Sequence, residues 1–305
     1  MSLPSAPVIA YFEQHATGPV TPLGQGMEGA VYDLGGGLVG KAWFDRTAAD
    51  VLPLQAFLTE LNQQDLPFRT PDIIVVDSVD GQAVSIERRL TGTPLSDVLE
   101  SGAMTQQEGL DLFVEVVTAL ATTTAGPASK ALPLLGQTAL EGEWGEGLAE
   151  LVRRRASTSY QYLSADVDDF DDLLERILAK LDALSLDKPQ IVHGDICTPN
   201  LLVTDGSGET PRAALLDWGF FTTAGDNTFD AATAAGFYDM YSPAARDFDD
   251  QLLDRFEQLG HSRDRMYLYR AAYAIATATI YSAAADGHYV WCVGNLRRKD
   301  LRAAL

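Results

Sequence analysis

The chain has 305 residues, 46% of them hydrophobic, which is enough for two domains or lobes with ordinary cores. Lysine and arginine total 22 against 43 aspartates and glutamates, a formal charge of −21. That balance argues against a nucleic-acid backbone or an anionic membrane surface as partner, since both need basic patches; it suits a cationic ligand, and equally a plain solvating surface.

Residues 6–15 predict a short leading helix, ended by Thr17-Gly18-Pro19. Gly24, Gly26 and Gly29 then form G-x-G-x-x-G, with Val31 two residues on. Glycines without side chains let backbone N–H groups approach phosphate oxygens. A dinucleotide loop follows a buried strand and opens a helix. Here Pro19 and Pro22 weaken any buried strand before the loop. After it come a strand over 30–34, a turn at Gly35-Gly36-Gly37 and a second strand over 38–44 that carries Lys41. Strand, glycine turn, strand is the kinase arrangement.

A helix over 53–63 places Leu54, Phe57, Leu58 and Leu61 on one face, with Glu60 beside it and Pro53 obscuring its start. Strands over 72–77 and 83–87 flank an Asp80-Gly81 hairpin turn. From Thr93 the pattern turns helical. A short helix runs over 94–100. Thr105 and Glu108 make a capping box for a helix whose stripe of Leu110, Phe113, Val114, Val117 and Leu120 is core. A linker covers 126–136, and helices are expected over 145–163 and 169–184. Asp166, Asp168, Asp169, Asp171 and Asp172 crowd the start of the latter; they read as helix capping or as a cation-attracting rim. Three more helices are expected near 243–259, 263–285 and 294–304.

The most informative stretch is 191–219. It holds His193-Gly194-Asp195, then Asn200, then Asp217-Trp218-Gly219. Two apolar runs, 201–203 and 213–216, flank the turn-forming Asp205-Gly206-Ser207-Gly208. A hairpin between them returns the chain, so Asp195, Asn200 and Asp217 should converge. Asn200 and Asp217 offer hard oxygen ligands of the kind Mg2+ takes together with phosphates. Asp195 is left to accept a proton from a hydroxyl nucleophile.

HGD, four residues, Asn, then a hairpin ending in aspartate–aromatic–glycine resembles the aminoglycoside phosphotransferase and choline kinase group of small-molecule kinases. The resemblance implies an α+β, protein-kinase-like fold: an antiparallel-sheet N-lobe over 1–89 and a mainly helical C-lobe over 90–305. It implies Asp195 as catalytic base, Asn200 and Asp217 as metal ligands, and ATP and Mg2+ as cofactors. Lys41 would contact the α and β phosphates, held by Glu60, with Gly24, Gly26, Gly29 and Val31 over the nucleotide. The hinge would fall at 87–92, with Leu90 contacting adenine. Asp230, or failing it Asp226, would tie down the loop that His193 supports.

Protein kinases mostly carry an arginine before the base and a lysine two residues after it; here those places hold Gly194 and Cys197. No A-P-E motif follows Asp230. Cys197 reads as partly buried filler more readily than as a reactive thiol. The expectation is an ATP- and Mg2+-dependent transfer of the γ-phosphoryl group to a hydroxyl of a small, cationic molecule: an aminoglycoside, amino sugar or amino alcohol. A non-catalytic nucleotide-binding module and a protein kinase are the alternatives. No nucleic acid or membrane partner is expected. The start of the chain does not read as a signal peptide, and the weakly polar run 271–285 is too short to span a bilayer, so a cytoplasmic location follows. The sequence leaves the acceptor and the oligomeric state open.

Overall fold

The computed structural model describes residues 5–26, 28–136, 138–204, 211–281 and 286–305. The chain divides into two compact units, Met1–Thr93 with Leu202–Leu216, and Pro94–Leu201 with Asp217–Leu305.

The first unit is built on a five-stranded antiparallel sheet. Helix α1 (Ala6–His15) leads into strands β1 (Thr21–Gln25), β2 (Gly29–Gly35) and β3 (Leu38–Trp43). Helix α2 (Ala48–Leu61) and strands β4 (Ile73–Val79) and β5 (Gln82–Arg88) complete it. The strand order is β1-β2-β3-β5-β4. Pro22 lies in β1, an exposed edge strand, where its missing N–H does least harm to the ladder. Gly35, Gly36 and Gly37 all adopt positive φ in the β2–β3 turn, which side-chain-bearing residues resist. Asp80 and Gly81 do so in the β4–β5 hairpin.

Alternation then sorts the two faces of the sheet. Ala30, Tyr32, Leu34, Ala42, Val84 and Ile86 pack with Val8 and Phe12 of α1 into one core. Register places Val31 opposite Lys41 and Lys41 opposite Ser85, and Val39 opposite Glu87. Those side chains, with Trp43, therefore share the other face.

Helix α2 starts earlier than expected, at Ala48. Asp50 accepts hydrogen bonds from the Thr47 N–H (2.8 Å) and hydroxyl (2.7 Å), a capping arrangement that begins the helix ahead of Pro53 and leaves the proline inside it. The strands β8 (Leu201–Val203) and β9 (Ala213–Leu215) are neighbours in a sheet. The Arg69 N–H donates to the Ala213 carbonyl, and Arg69 O accepts from the Leu215 N–H, each at 2.9 Å. These bonds draw 202–216 into the first unit, although the sequence pointed to a division at residue 89. The turn expected at Asp205–Gly208 lies outside the described residues.

The second unit is mostly helical. A two-residue strand β6 (Thr93–Pro94) marks the boundary. Helices α3 (Leu95–Glu100), α4 (Gln106–Ala119), α5 (Pro127–Ala131), α6 (Trp144–Asp166) and α7 (Phe170–Asp182) follow. The predicted box caps α4: the Glu108 N–H donates to Thr105 Oγ1 and the Thr105 N–H to Glu108 Oε2. Strand β7 (Gln190–Val192) pairs antiparallel with β10 (Thr223–Gly225). Then come α8 (Thr228–Phe237), α9 (Ala245–Gln258), α10 (Arg263–Thr277), α11 (Gly287–Leu296) and α12 (Lys299–Ala304). The last two replace one expected helix over 294–304. Asp286 caps α11 by accepting from the Tyr289 N–H (2.7 Å), and extended backbone at Arg298 separates it from α12. Among the described residues no helix is long and apolar enough to cross a membrane.

Candidate active site

The ribbon of β7 and β10 fixes where the HGD loop begins. Val192 lies opposite Thr223, so His193 leaves the ribbon beside Thr222, whose hydroxyl donates to the His193 carbonyl at 3.1 Å. Asp230, on the first turn of α8, accepts the N–H of His193 at 2.9 Å on one oxygen and that of Gly194 at 2.7 Å on the other. Asp230 is fully buried, and burial pushes its carboxyl up to about 7 against the pull of those two N–H groups. Asp226 instead accepts from the Thr228 N–H, Arg265 and the Tyr269 hydroxyl. The tie to the loop thus falls on Asp230.

His193 is buried and acts within the loop. Its Nδ1 accepts the Asp195 N–H at 3.1 Å, so in this arrangement the ring proton sits on Nε2, and its ring lies 4.4 Å from that of Trp218. The neighbouring Gly219 N–H donates to the Thr222 hydroxyl at 2.9 Å. One threonine hydroxyl therefore links the HGD segment to the Asp217-Trp218-Gly219 segment.

These ties bring the three expected oxygen-bearing side chains together. The Asn200 amide nitrogen donates to the Asp195 carbonyl at 3.1 Å, which leaves the amide oxygen for a cation. The Asp195 carboxyl is pushed up to about 8, first by burial and then by the negative charge of Asp217. Asp217 takes a left-handed backbone conformation, φ 64°, uncommon for residues other than glycine, asparagine and aspartate. A cation placed beside these two carboxylates would relieve their repulsion. Among the described residues no group of three or more His, Cys, Asp or Glu side chains is placed to hold a metal alone. The Asp217 carboxylate and the Asn200 amide oxygen fit Mg2+, which keeps waters and substrate phosphates as its other ligands. Cys197 is no thiolate: burial, then the Asp195 charge, pushes it up to about 12. Tyr281 is half exposed, and its hydroxyl is raised to about 12 by burial and by Asp195 and Asp217. It stands beside the acidic centre and carries no motif that sequence reading could find.

In the first unit, Lys41 sits on the sheet face described above. Lys41 makes a salt bridge with Glu28 at 3.3 Å. Glu28 lies inside the glycine-rich segment, whose side-chain direction no spacing argument could fix. Gly29 is required by packing, since a Cβ there would meet the Ala42 carbonyl at 2.4 Å; among the described residues, Cβ atoms on Gly24 and Gly26 would meet nothing within 4 Å. The described packing does not by itself demand glycine at 24 and 26. Leu90 lines a cavity of about 440 Å³ together with Asn62, Phe68, Arg69 and Arg88. Val31 lies opposite Lys41 in the register. Glu87, next to Lys41 on the sheet face, is raised by burial against the pull of the lysine.

The APH model, described as a phosphotransferase enzyme family, matches residues 19–269. The chain belongs to this family. It is accordingly a kinase-type phosphotransferase that acts on hydroxyl groups of small molecules. The fold of this phosphotransferase is similar to that of a thermostable mutant of aminoglycoside phosphotransferase APH(4)-Ia in complex with AMP-PNP and hygromycin B. The TM-score is 0.68 and the identity 18%, over 98% of this chain and 99% of that one. It is also similar to the streptomycin–ATP complex of APH(2")-IIa, with TM-score 0.61 and 14% identity over 97% of each chain. A third likeness is to ADP-bound APH(2'')-Ib, with TM-score 0.62 and 14% identity over 99% of each chain. No curated protein sequence matches the chain. The likenesses bear out the kinase-like fold expected of this phosphotransferase, with its antiparallel-sheet unit and its helical unit.

Proposed function

We propose that this phosphotransferase moves the γ-phosphoryl group of ATP to a hydroxyl of a small cationic molecule, an aminoglycoside, amino sugar or amino alcohol, in the presence of Mg2+. The observation that carries the reading is the grouping of Asp195, Asn200 and Asp217 by a loop pinned to Asp230. Asp217 and the Asn200 amide oxygen would hold Mg2+, which supplies positive charge to the phosphate oxygens when bound. Asp195 orients the acceptor hydroxyl and takes its proton as the oxygen attacks phosphorus in line with the leaving ADP oxygen. Backbone N–H groups of 24–29 and the Lys41 ammonium bind phosphate oxygens. Burial of Asp195 makes its carboxylate a stronger base than an exposed aspartate.

The excess of acidic groups supports a cationic acceptor, since it attracts an ammonium and repels an anion. ADP release by the purified protein, measured against a panel of aminoglycosides, amino sugars, amino alcohols and neutral sugars with Mg2+, tests the reading. Stimulation by an amine-bearing alcohol is expected. Nucleotide binding with no transfer to any acceptor or to water would reduce the protein to a binding module. Label passing only to protein acceptors would make it a protein kinase.

A further inference from the structure

The first unit holds a charge arrangement that the proposed reaction does not explain. The Glu28 carbonyl accepts the Phe44 N–H at 2.9 Å, which fixes its backbone beside the end of β3. Its carboxylate turns back over the sheet face, and each oxygen meets a different cation. Oε2 is 3.3 Å from Lys41 Nζ, and Oε1 is 2.5 Å from Arg46 Nη2. Both cations lie over the Trp43 ring, Lys41 Nζ at 3.5 Å and Arg46 Cζ at 5.2 Å from its centroid. The ring is anchored in turn: its Nε1–H donates to Ser85 Oγ at 3.0 Å, and the Ser85 hydroxyl donates to Glu87 Oε1 at 2.6 Å. Trp43 is 2% exposed.

Two cations seated on one immobile indole thus converge on two acidic oxygens borne by the glycine-rich segment. A terminal phosphate presents the same feature, oxygens spaced to meet an ammonium and a guanidinium together. We infer that the Glu28 carboxylate occupies a phosphate subsite in the nucleotide-free protein, that Arg46 is the second cation of this subsite beside Lys41, and that nucleotide phosphate displaces Glu28 from both. The inference rests on the proposed role of Lys41 in binding nucleotide phosphates.

Displacement is favoured by charge and by exposure. Glu28, Lys41 and Arg46 keep 30%, 18% and 27% of their side-chain surface in solvent, so the bridges between them are weak, screened contacts. A nucleotide diphosphate brings more charge and more acceptor oxygens to the same cations. Glu28 is therefore a competitor of the ligand, and its removal should strengthen binding, which structural damage does not do.

Calorimetric titration of ADP and of adenosine, in magnesium buffer, into the unsubstituted protein, Glu28→Gln and Arg46→Gln separates the possibilities. Glu28→Gln should bind ADP about three- to tenfold more tightly and Arg46→Gln about three- to tenfold more weakly, the range set by one partly exposed charge contact. Adenosine, which has no phosphate, should bind all three proteins alike. Equal or weaker ADP binding by Glu28→Gln overturns the displacement, and unchanged ADP binding by Arg46→Gln overturns the second cation. A parallel gain for adenosine overturns the phosphate assignment. Failure of the unsubstituted protein to bind ADP removes the phosphotransfer reading itself and this inference with it, an outcome distinct from the others.

Discussion

Gly194 precedes the candidate base with φ +80°, and a Cβ there would lie 2.4 Å from the Phe221 Cβ and 2.9 Å from its carbonyl oxygen. Both the backbone and the packing demand glycine. Gly194→Ala should cost about 1–3 kcal/mol through left-handed strain and overpacking, read as a lower thermal midpoint, and should displace the loop whose N–H groups bond to Asp230. An unchanged midpoint together with full activity would show that the loop has slack this geometry denies. Asp195→Asn keeps the shape and hydrogen-bonding surface of the side chain but removes its basicity. Turnover should fall about 10²–10⁴-fold, the ordinary yield of a positioned general base, with ADP affinity changed little. Equal loss of both would remove Asp195 from the role of base. Residues 195, 200 and 217 were legible because they fall within one short stretch whose hairpin strands show as apolar runs. Glu28, Arg46 and Ser85 were not, because the partners chosen by side chains on a sheet face depend on register and rotamer, which composition does not encode. The pairing of Lys41 with Glu60 was read from separation along the chain, which gives no sign of the salt bridge that Glu28 makes with the same lysine.

Helices α9, α10 and α12 are fastened by a cluster of buried and half-buried ion pairs. Arg270, 2% exposed, donates to Asp249 at 2.8 Å and also to the Ala232 carbonyl of α8. Arg298 binds Asp249, Asp250 and Asp300. Burial alone would raise the Asp249 carboxyl, but the two guanidiniums overcome it and hold it below the usual carboxylate range. A depressed folded-state value means that the unfolded chain takes up protons more readily. The stabilisation is therefore complete above the ordinary carboxylate value near 4 and is lost as pH falls through the lower folded value. Asp249→Ala should cost about 3–5 kcal/mol at pH 7, since it strands a buried arginine. Thermal melts of the two proteins should converge as pH drops below about 4. A gap that stays constant down to acid pH would show that Asp249 acts by packing and not by charge. At this scale the amphipathic α4 was legible from its stripe and box. Helix α8 does not show in the sequence pattern. All ten of its residues are buried, so no polar face alternates with an apolar one, and the 3.6-residue period that reveals a surface helix is missing.

At the scale of the whole molecule the excess of 43 acidic over 22 basic residues sets the long-range field. The kinase-like architecture was legible because glycine loop, lysine strand and HGD stretch come in a fixed order, each with its own local signal. The attachment of 202–216 to the first unit was not, because it depends on backbone bonds at Arg69, an interaction distant in sequence and blind to side-chain identity. The field bears directly on the acceptor. A negative molecule draws a cation toward it and raises the association rate, and mobile ions remove that pull beyond a Debye length, about 10 Å at 0.1 M salt. For an acceptor bearing two or more ammonium groups, kcat/KM should fall about tenfold between 20 and 200 mM salt. The kcat, which is measured with the acceptor already bound, should change far less. A neutral alcohol turned over by the same protein should show nearly flat kcat/KM across that range. If the two acceptors respond alike, the acidic excess serves solubility and the preference for a cationic alcohol must come from contacts at the site itself.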